Sequence, residues 1–75
     1  MNNKTIDIHG MTTIDAKKRL EQAVTSAPPN SELTVIHGYH AGQALQNMVR
    51  KGLKHRRIKQ RIVSMNAGET ILVLE

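Results

Sequence analysis

The chain has 75 residues, the size of one small domain, and we interpret residues 1–75 as a single domain. It contains no cysteine, which excludes disulfides and cysteine-ligated zinc. Eleven Lys and Arg residues against six Asp and Glu residues give a net charge of +5. The sequence shows neither the apolar stretch of a signal peptide nor a run long enough for a membrane span. We therefore expect a cytoplasmic protein without a membrane partner.

The first third of the chain predicts a strand and then a helix. Residues 4–9 alternate between apolar Ile6 and Ile8 and polar Asp7 and His9, which is typical of a half-buried strand. Thr12, followed three residues later by Asp15, predicts the start of the helix. The apolar residues of this helix recur at helical spacing: Ala16, Leu20, Ala23, Val24 and Ala27. The two prolines that follow predict its end.

The rest of the chain predicts one more strand–helix pair and two final strands. Residues 33–36 are rich in β-branched side chains, and strands are also predicted over residues 58–65 and 70–74. The helix between them carries an apolar stripe: Leu45, Met48, Val49, Gly52 and Leu53. We assign Met48 and Met65 to the core. The fold class is therefore α/β, an α+β two-layer sandwich with βαβαββ order and two helices on one face of a mixed four-stranded sheet.

Seven of the eleven basic residues lie in one segment of twelve residues. They are Arg50, Lys51, Lys54, Arg56, Arg57, Lys59 and Arg61. Such clustering is typical of proteins that bind a polyanion, although a solvated basic face gives the same pattern. Tyr39 is the only aromatic residue, whereas RNA-binding sheets stack bases on several rings. We therefore expect contacts mainly to the nucleic-acid backbone.

Candidate catalytic residues follow the first two strands. Asp7 and His9 end the first strand and His37 ends the second, and ligands of open α/β sheets bind at this edge. His9 oriented by Asp7 is an acid–base pair of suitable chemistry, with His37 as a second proton-transfer or phosphate-contacting group. A hydrogen bond of purely structural value between Asp7 and His9 is the alternative.

The loop after the second strand is a candidate phosphate site. Gly38 and Gly42 allow close approach of the backbone, and the loop precedes the amino end of a helix, where N–H groups are free. An ordinary strand-to-helix turn is the alternative. The Tyr39 ring suits either of two roles, which are stacking on a nucleic-acid base and packing across the loop. His9, His37 and His40 are not spaced like zinc ligands, so we expect no metal and no cofactor.

Two motifs resemble the Smr domain family. Ile6-Asp7-Ile8-His9-Gly10 is similar to its Leu-Asp-Leu-His-Gly motif, and Ile36-His37-Gly38 with Gly42-x-x-Leu45 is similar to its second loop. The resemblance implies a fold like the C-terminal domain of the third bacterial initiation factor. It also implies endonuclease activity in some members, and association with nucleic acid or the ribosome in others. The chain departs from the family at Tyr39, His40 and the short turn over residues 66–70.

The sequence thus predicts a nucleic-acid-binding domain that favours RNA over DNA and is a possible endonuclease. Asp7, His9 and His37 would act in catalysis, residues 38–42 would contact phosphate, and the basic segment would hold flanking phosphates. The alternative is a non-catalytic module that binds RNA or the ribosome. A third hypothesis is a protein-interaction domain whose basic patch meets an acidic partner.

Overall fold

The computed structural model describes residues 3–38 and 43–75. Four strands and two helices follow in the predicted order: β1 (Asn3–Asp7), α1 (Thr13–Ser26), β2 (Glu32–Ile36), α2 (Ala44–Asn47), β3 (Ile58–Val63) and β4 (Glu69–Leu74). One π-helical turn over Met48–Gly52, here called the π turn, continues α2 directly. The βαβαββ order and the α+β class predicted from the sequence are therefore confirmed.

The four strands form one mixed sheet in the order β1-β2-β4-β3. The strands β1 and β2 are parallel, because α1 crosses over between them, and β4 pairs antiparallel with both β2 and β3. Ile36 is in register with Asp7 on one side and with Glu69 on the other. The carboxyl ends of β1 and β2 and the amino end of β4 therefore lie at the same edge of the sheet.

A single apolar core lies between the helices and one face of the sheet. Its buried members are Ile6, Ile8, Ala16, Leu20, Val24, Leu33, Val35, Leu45, Val49, Leu53, Leu72 and Leu74. Both predicted helical stripes thus face the sheet, with the exception of Gly52, which is exposed. Met48 packs against the core as expected, whereas the assignment of Met65 to the core is wrong, because its side chain is fully exposed. The strand β3 ends at Val63, earlier than predicted, and Met65 lies in the turn before β4.

The free backbone N–H and C=O groups at the two ends of α1 find hydrogen-bond partners in different ways. At the start, the Thr12 hydroxyl accepts a hydrogen bond from the Asp15 N–H at 3.2 Å, as the predicted capping pattern requires. At the end, Ala27 is extended and Pro28 and Pro29 follow, so the backbone supplies few N–H donors for the last carbonyls of the helix. The last turn also contains no basic side chain of its own.

Arg57, from the turn before β3, supplies the missing donors. Its guanidinium donates to the carbonyls of Val24 at 2.5 Å and Ala27 at 2.7 Å, and to that of Pro28 at 3.1 Å. It also donates to the carbonyl of Glu75 at 3.1 Å, at the end of the chain. One side chain thereby joins the end of α1, the β3 turn and the chain terminus.

Arg61 likewise donates to carbonyls at the end of the second helix, which consists of α2 and the π turn. This β3 residue lies in register with buried Leu72, so it faces the helices. Its Nε donates to the carbonyl of Val49 at 3.1 Å, and its Nη2 donates to the carbonyl of Leu53. A planar guanidinium suits this task, because its N–H groups diverge in a fixed fork. Two members of the basic segment therefore act as caps for helix carbonyls.

The cap on α1 predicts a difference between two adjacent arginines. We expect Arg57→Ala to lower the free energy of unfolding by about 2–3 kcal/mol, because several carbonyls would lose a charged donor. Arg56→Ala, at an exposed neighbouring position, removes the same charge and should cost less than about 0.5 kcal/mol. Urea unfolding followed by circular dichroism measures both. Equal losses of stability in the two variants would contradict the capping role.

Candidate functional site

Three chain segments meet at the edge of the sheet where β1 and β2 end. The Ile8 N–H donates to the carbonyl of Ile36 at 2.9 Å, which extends the pairing of β1 and β2 by one residue beyond the strand. The N–H groups of His37 and Gly38 both donate to the carbonyl of Gly68, at 2.9 and 3.0 Å. The motif around His9, the loop after β2 and the turn before β4 are therefore held together by backbone hydrogen bonds.

Asp7 and His9 form a closely coupled pair at this edge. Asp7 Oδ1 lies 2.5 Å from His9 Nδ1 and also accepts the His9 backbone N–H at 3.0 Å. Both side chains point away from the core, where 68% of the His9 side chain and 50% of the Asp7 side chain are exposed. Hydrogen bonding to the His9 ring, and then to its backbone N–H, lowers the pKa of Asp7.

The geometry of this pair fixes the arrangement of the His9 ring. A carboxylate beside Nδ1 favours the form in which Nδ1 carries a proton and donates it to Asp7. The Nε2 atom then has its lone pair free on an exposed ring. His9 can therefore accept a proton at Nε2, and the resulting positive charge would lie beside the Asp7 carboxylate.

His37 is placed quite differently from His9. Only 3% of the residue is exposed, and both of its ring nitrogens have partners. Nδ1 lies 2.9 Å from the carbonyl oxygen of Gly38, and Nε2 lies 2.9 Å from the hydroxyl of Thr70. Because a carbonyl oxygen can only accept, Nδ1 must carry a proton. This arrangement suits a positioning role for His37 and leaves no ring nitrogen free for proton transfer.

The Thr70 hydroxyl links His37 to the basic segment. It accepts a hydrogen bond from Arg50 Nε at 2.8 Å, and Arg50 also donates to the carbonyl of Glu69 at 3.3 Å. Sequence reasoning missed Thr70 as part of the site. The signal that could have identified it is its position in β4, where alternation with Leu72 and Leu74 directs a polar side chain towards the core.

Gly38 allows the loop after β2 to approach His9. Its φ of +74° is favourable only for glycine, and a Cβ atom there would lie 3.4 Å from the Cβ of His9. The loop and the Asp7–His9 pair are thus in direct contact. Three predicted phosphate contacts, Tyr39, His40 and Gly42, lie outside the described residues.

The structure divides the basic segment into two groups. Arg50, Arg57 and Arg61 donate to carbonyls or to Thr70 within the fold, which is a role the sequence did not predict. The other four side chains are exposed: Lys51, Lys54, Arg56 and Lys59. This second group is available to meet a polyanion without breaking a hydrogen bond of the fold.

Two further features concern metals and membranes. Within residues 3–38 and 43–75, no three His, Cys, Asp or Glu side chains are grouped closely enough to hold a metal ion. In the same part of the chain, no helix has the length and apolar character to cross a bilayer.

The lowered pKa of Asp7 gives a measurable prediction. Its carboxyl resonance should titrate below the ordinary value of 3.8, and in His9→Ala the midpoint should rise, because the ring hydrogen bond is lost while the backbone one remains. A depressed pKa contributes stability above the unfolded-state pKa, and this contribution disappears as pH falls through the folded-state pKa. Titration by ¹³C NMR measures both proteins. An unchanged midpoint in His9→Ala would show that the ring does not bind Asp7 in solution.

Comparison with known proteins agrees with this architecture. The crystal structure of the Smr domain of Thermus thermophilus MutS2 matches with a TM-score of 0.85 and 24% sequence identity, covering 96% of this chain and 98% of that chain. That similarity shows a common fold. No curated protein sequence matches the chain at a significant level. The family model of the Smr domain matches residues 6–70. The chain therefore belongs to the Smr domain family, which is known as a family of nucleic-acid-binding domains.

Proposed function

We propose that this domain binds RNA and cleaves it at the Asp7–His9 pair without a strict need for a metal ion. The observation that carries the proposal is the arrangement of His9, whose Nδ1 is held by Asp7 at 2.5 Å while the ring is largely exposed. A ring oriented in this way presents Nε2 to a bound substrate as a general base.

The reaction that fits one oriented imidazole uses the nucleophile that RNA itself contains. His9 Nε2 takes the proton of a ribose 2′-hydroxyl, whose oxygen attacks the neighbouring phosphorus. The bond from phosphorus to the 5′-oxygen breaks, and that oxygen takes a proton from water. The hydroxide that remains takes the proton from the His9 imidazolium, which restores the free base. The products are a cyclic phosphate and a 5′-hydroxyl. Asp7 stabilises the imidazolium that forms.

The small number of acidic residues favours RNA over DNA as the substrate. Hydrolysis of DNA by two metal ions requires several carboxylates that converge on the ions. The chain has six acidic residues, and Asp7 is the one that the described site brings to His9. Because DNA lacks the 2′-hydroxyl, the mechanism above cannot operate on it.

The exposed basic residues support binding that is independent of sequence. Lys51, Lys54, Arg56 and Lys59 can approach phosphates, whose charge dominates the affinity of such interfaces. The chain offers no set of aromatic rings on which several bases could stack, since it has one Tyr and no Phe or Trp. We infer that the domain recognises the backbone and shape of RNA more than its bases.

A second candidate function is a non-catalytic module that binds RNA, including RNA of the ribosome. The burial of His37, with both ring nitrogens bonded, favours this alternative, because cleavage by proton transfer is most efficient with both an acid and a base. The two functions share one surface and differ only in turnover.

Binding through the exposed basic residues predicts a defined dependence on salt. If about four phosphates of a single strand are neutralised, the logarithm of the association constant should fall against log salt with a slope near −2.8. Fluorescence anisotropy with a labelled RNA measures this slope. The double variant Lys54→Gln with Arg56→Gln should flatten the slope for all sequences alike. Affinity that does not change with salt would contradict the electrostatic account.

Catalysis at the pair predicts the effect of removing His9. His9→Ala should reduce RNA cleavage by roughly 10²–10⁴-fold, because it removes the general base, while affinity for RNA changes little. Cleavage of labelled RNA, with and without EDTA, measures activity, and anisotropy measures binding. Absence of cleavage by the unmodified protein, with normal binding, would favour the non-catalytic module. Activity that EDTA abolishes and Mg²⁺ restores would contradict the metal-independent mechanism.

A further inference from the structure

A cleft of about 520 Å³ lies between α1 and the second helix, on the side of the helices away from the sheet. It is lined by Thr13, Ile14, Lys17, Ala44, Asn47, Met48, Lys51 and Gly52. The cleft is shallow and wide open to solvent. Of these residues, the sequence had singled out only Lys51 as a binding residue, so most of the cleft has no assigned role.

The lining of the cleft combines apolar surface with two positive charges. Ile14 is 68% exposed although it lies on α1, whose inner residues are fully buried, so the core does not require an isoleucine there. Met48 contributes the apolar surface on the opposite side. Lys17 and Lys51 stand on the two helices, and neither forms an ion pair with a described residue. An anionic ligand with flat apolar faces complements this lining.

The π turn shapes one side of the cleft. The Leu53 N–H donates to the carbonyl of Met48 at 2.6 Å, five residues back, so this hydrogen bond encloses one more residue than an α-helical one. Lys51 and Gly52 belong to this turn and both line the cleft.

The cleft begins close to the Asp7–His9 pair. Thr13 lines the cleft and is four residues after His9, so the chain between them spans at most about 14 Å. An RNA strand whose reacting phosphate lies at His9 can therefore continue along the helices into the cleft within a few nucleotides. This continuity connects the cleft to the function proposed above.

We propose that the cleft seats unpaired nucleotides that flank the reacting phosphate, an inference that rests on the RNA-binding function. Lys17 and Lys51 hold phosphates, and Ile14 and Met48 pack against the face of a base or a ribose. Base faces are accessible only where the strand is unpaired, because pairing and stacking cover them in a duplex. The substrate class is therefore single-stranded RNA, or the unpaired loop or end of a structured RNA.

The test compares matched variants on two RNA probes. The probes are a labelled oligouridylate about ten nucleotides long and an RNA duplex of the same length. Lys17→Gln should weaken oligouridylate binding about three- to fivefold, whereas Lys18→Gln, exposed on the same helix but outside the cleft, should weaken it less. The two variants change the net charge equally. A difference in affinity between them therefore shows that the position of the lysine in the cleft matters.

A second pair of variants tests the apolar contact. Ile14→Ala should weaken oligouridylate binding by about fourfold and leave duplex binding unchanged, whereas Met65→Ala, another exposed apolar position, should change neither. Alanine favours helix, so Ile14→Ala should fold normally, and a thermal melt checks this.

The outcomes separate the inference from the proposed function. If the unmodified protein binds oligouridylate but both cleft variants match their controls, the cleft does not bind the unpaired nucleotides. The proposed RNA-binding function is then unaffected. An Ile14→Ala variant that loses duplex and single-strand affinity equally would overturn the preference for unpaired RNA. If the unmodified protein binds neither probe, the proposed function fails and the inference fails with it.

Discussion

The fold depends on guanidinium groups that satisfy carbonyls at the ends of its helices. The helix α1 runs into Pro28 and Pro29, which cannot donate N–H groups, so the residues that follow the helix supply few backbone donors for its last carbonyls. Arg57 donates to these carbonyls and to that of Glu75, and Arg61 donates to carbonyls at the end of the second helix. A domain of this size has few apolar contacts to spare and no disulfide, so such polar joints matter more here than in a larger protein.

Polar side chains also hold together the edge of the sheet where the candidate site lies. His37 is buried between the Gly38 carbonyl and the Thr70 hydroxyl, and Arg50 completes this chain of hydrogen bonds. The network holds the β2 loop against the turn before β4, and the loop in turn contacts His9 through Gly38. A buried histidine therefore supports an exposed one. Of the two motifs that resemble those of the Smr family, the first contains an exposed histidine suited to chemistry and the second a buried histidine suited to a structural role.

Local patterns in the sequence were enough to predict the fold and the position of the Asp7–His9 pair. Alternation and helical spacing report which face of an element is buried, and both features depend on neighbours a few residues away. The roles of Arg57 and His37 could not be predicted in this way, because their partners lie about thirty residues distant along the chain. Met65 was misplaced because a hydrophobic residue after a strand looks like a continuation of it until the turn geometry is known.

The basic segment, which looked uniform by charge, therefore contains two groups of cations with different surroundings. The guanidiniums of Arg50, Arg57 and Arg61 diverge in a fork that fits carbonyl oxygens, whereas a lysine ammonium is a mobile point charge that suits phosphates at varied positions. Lys17 and Lys51 have no such internal partners among the described residues. The three arginines that donate within the fold contribute to its stability, whereas the exposed side chains of Lys51, Lys54, Arg56 and Lys59 make no such bond with a described residue. Replacing Arg50, Arg57 or Arg61 would therefore disturb the fold that supports the exposed basic side chains, whereas replacing one of the exposed residues removes charge without removing a hydrogen bond of the fold.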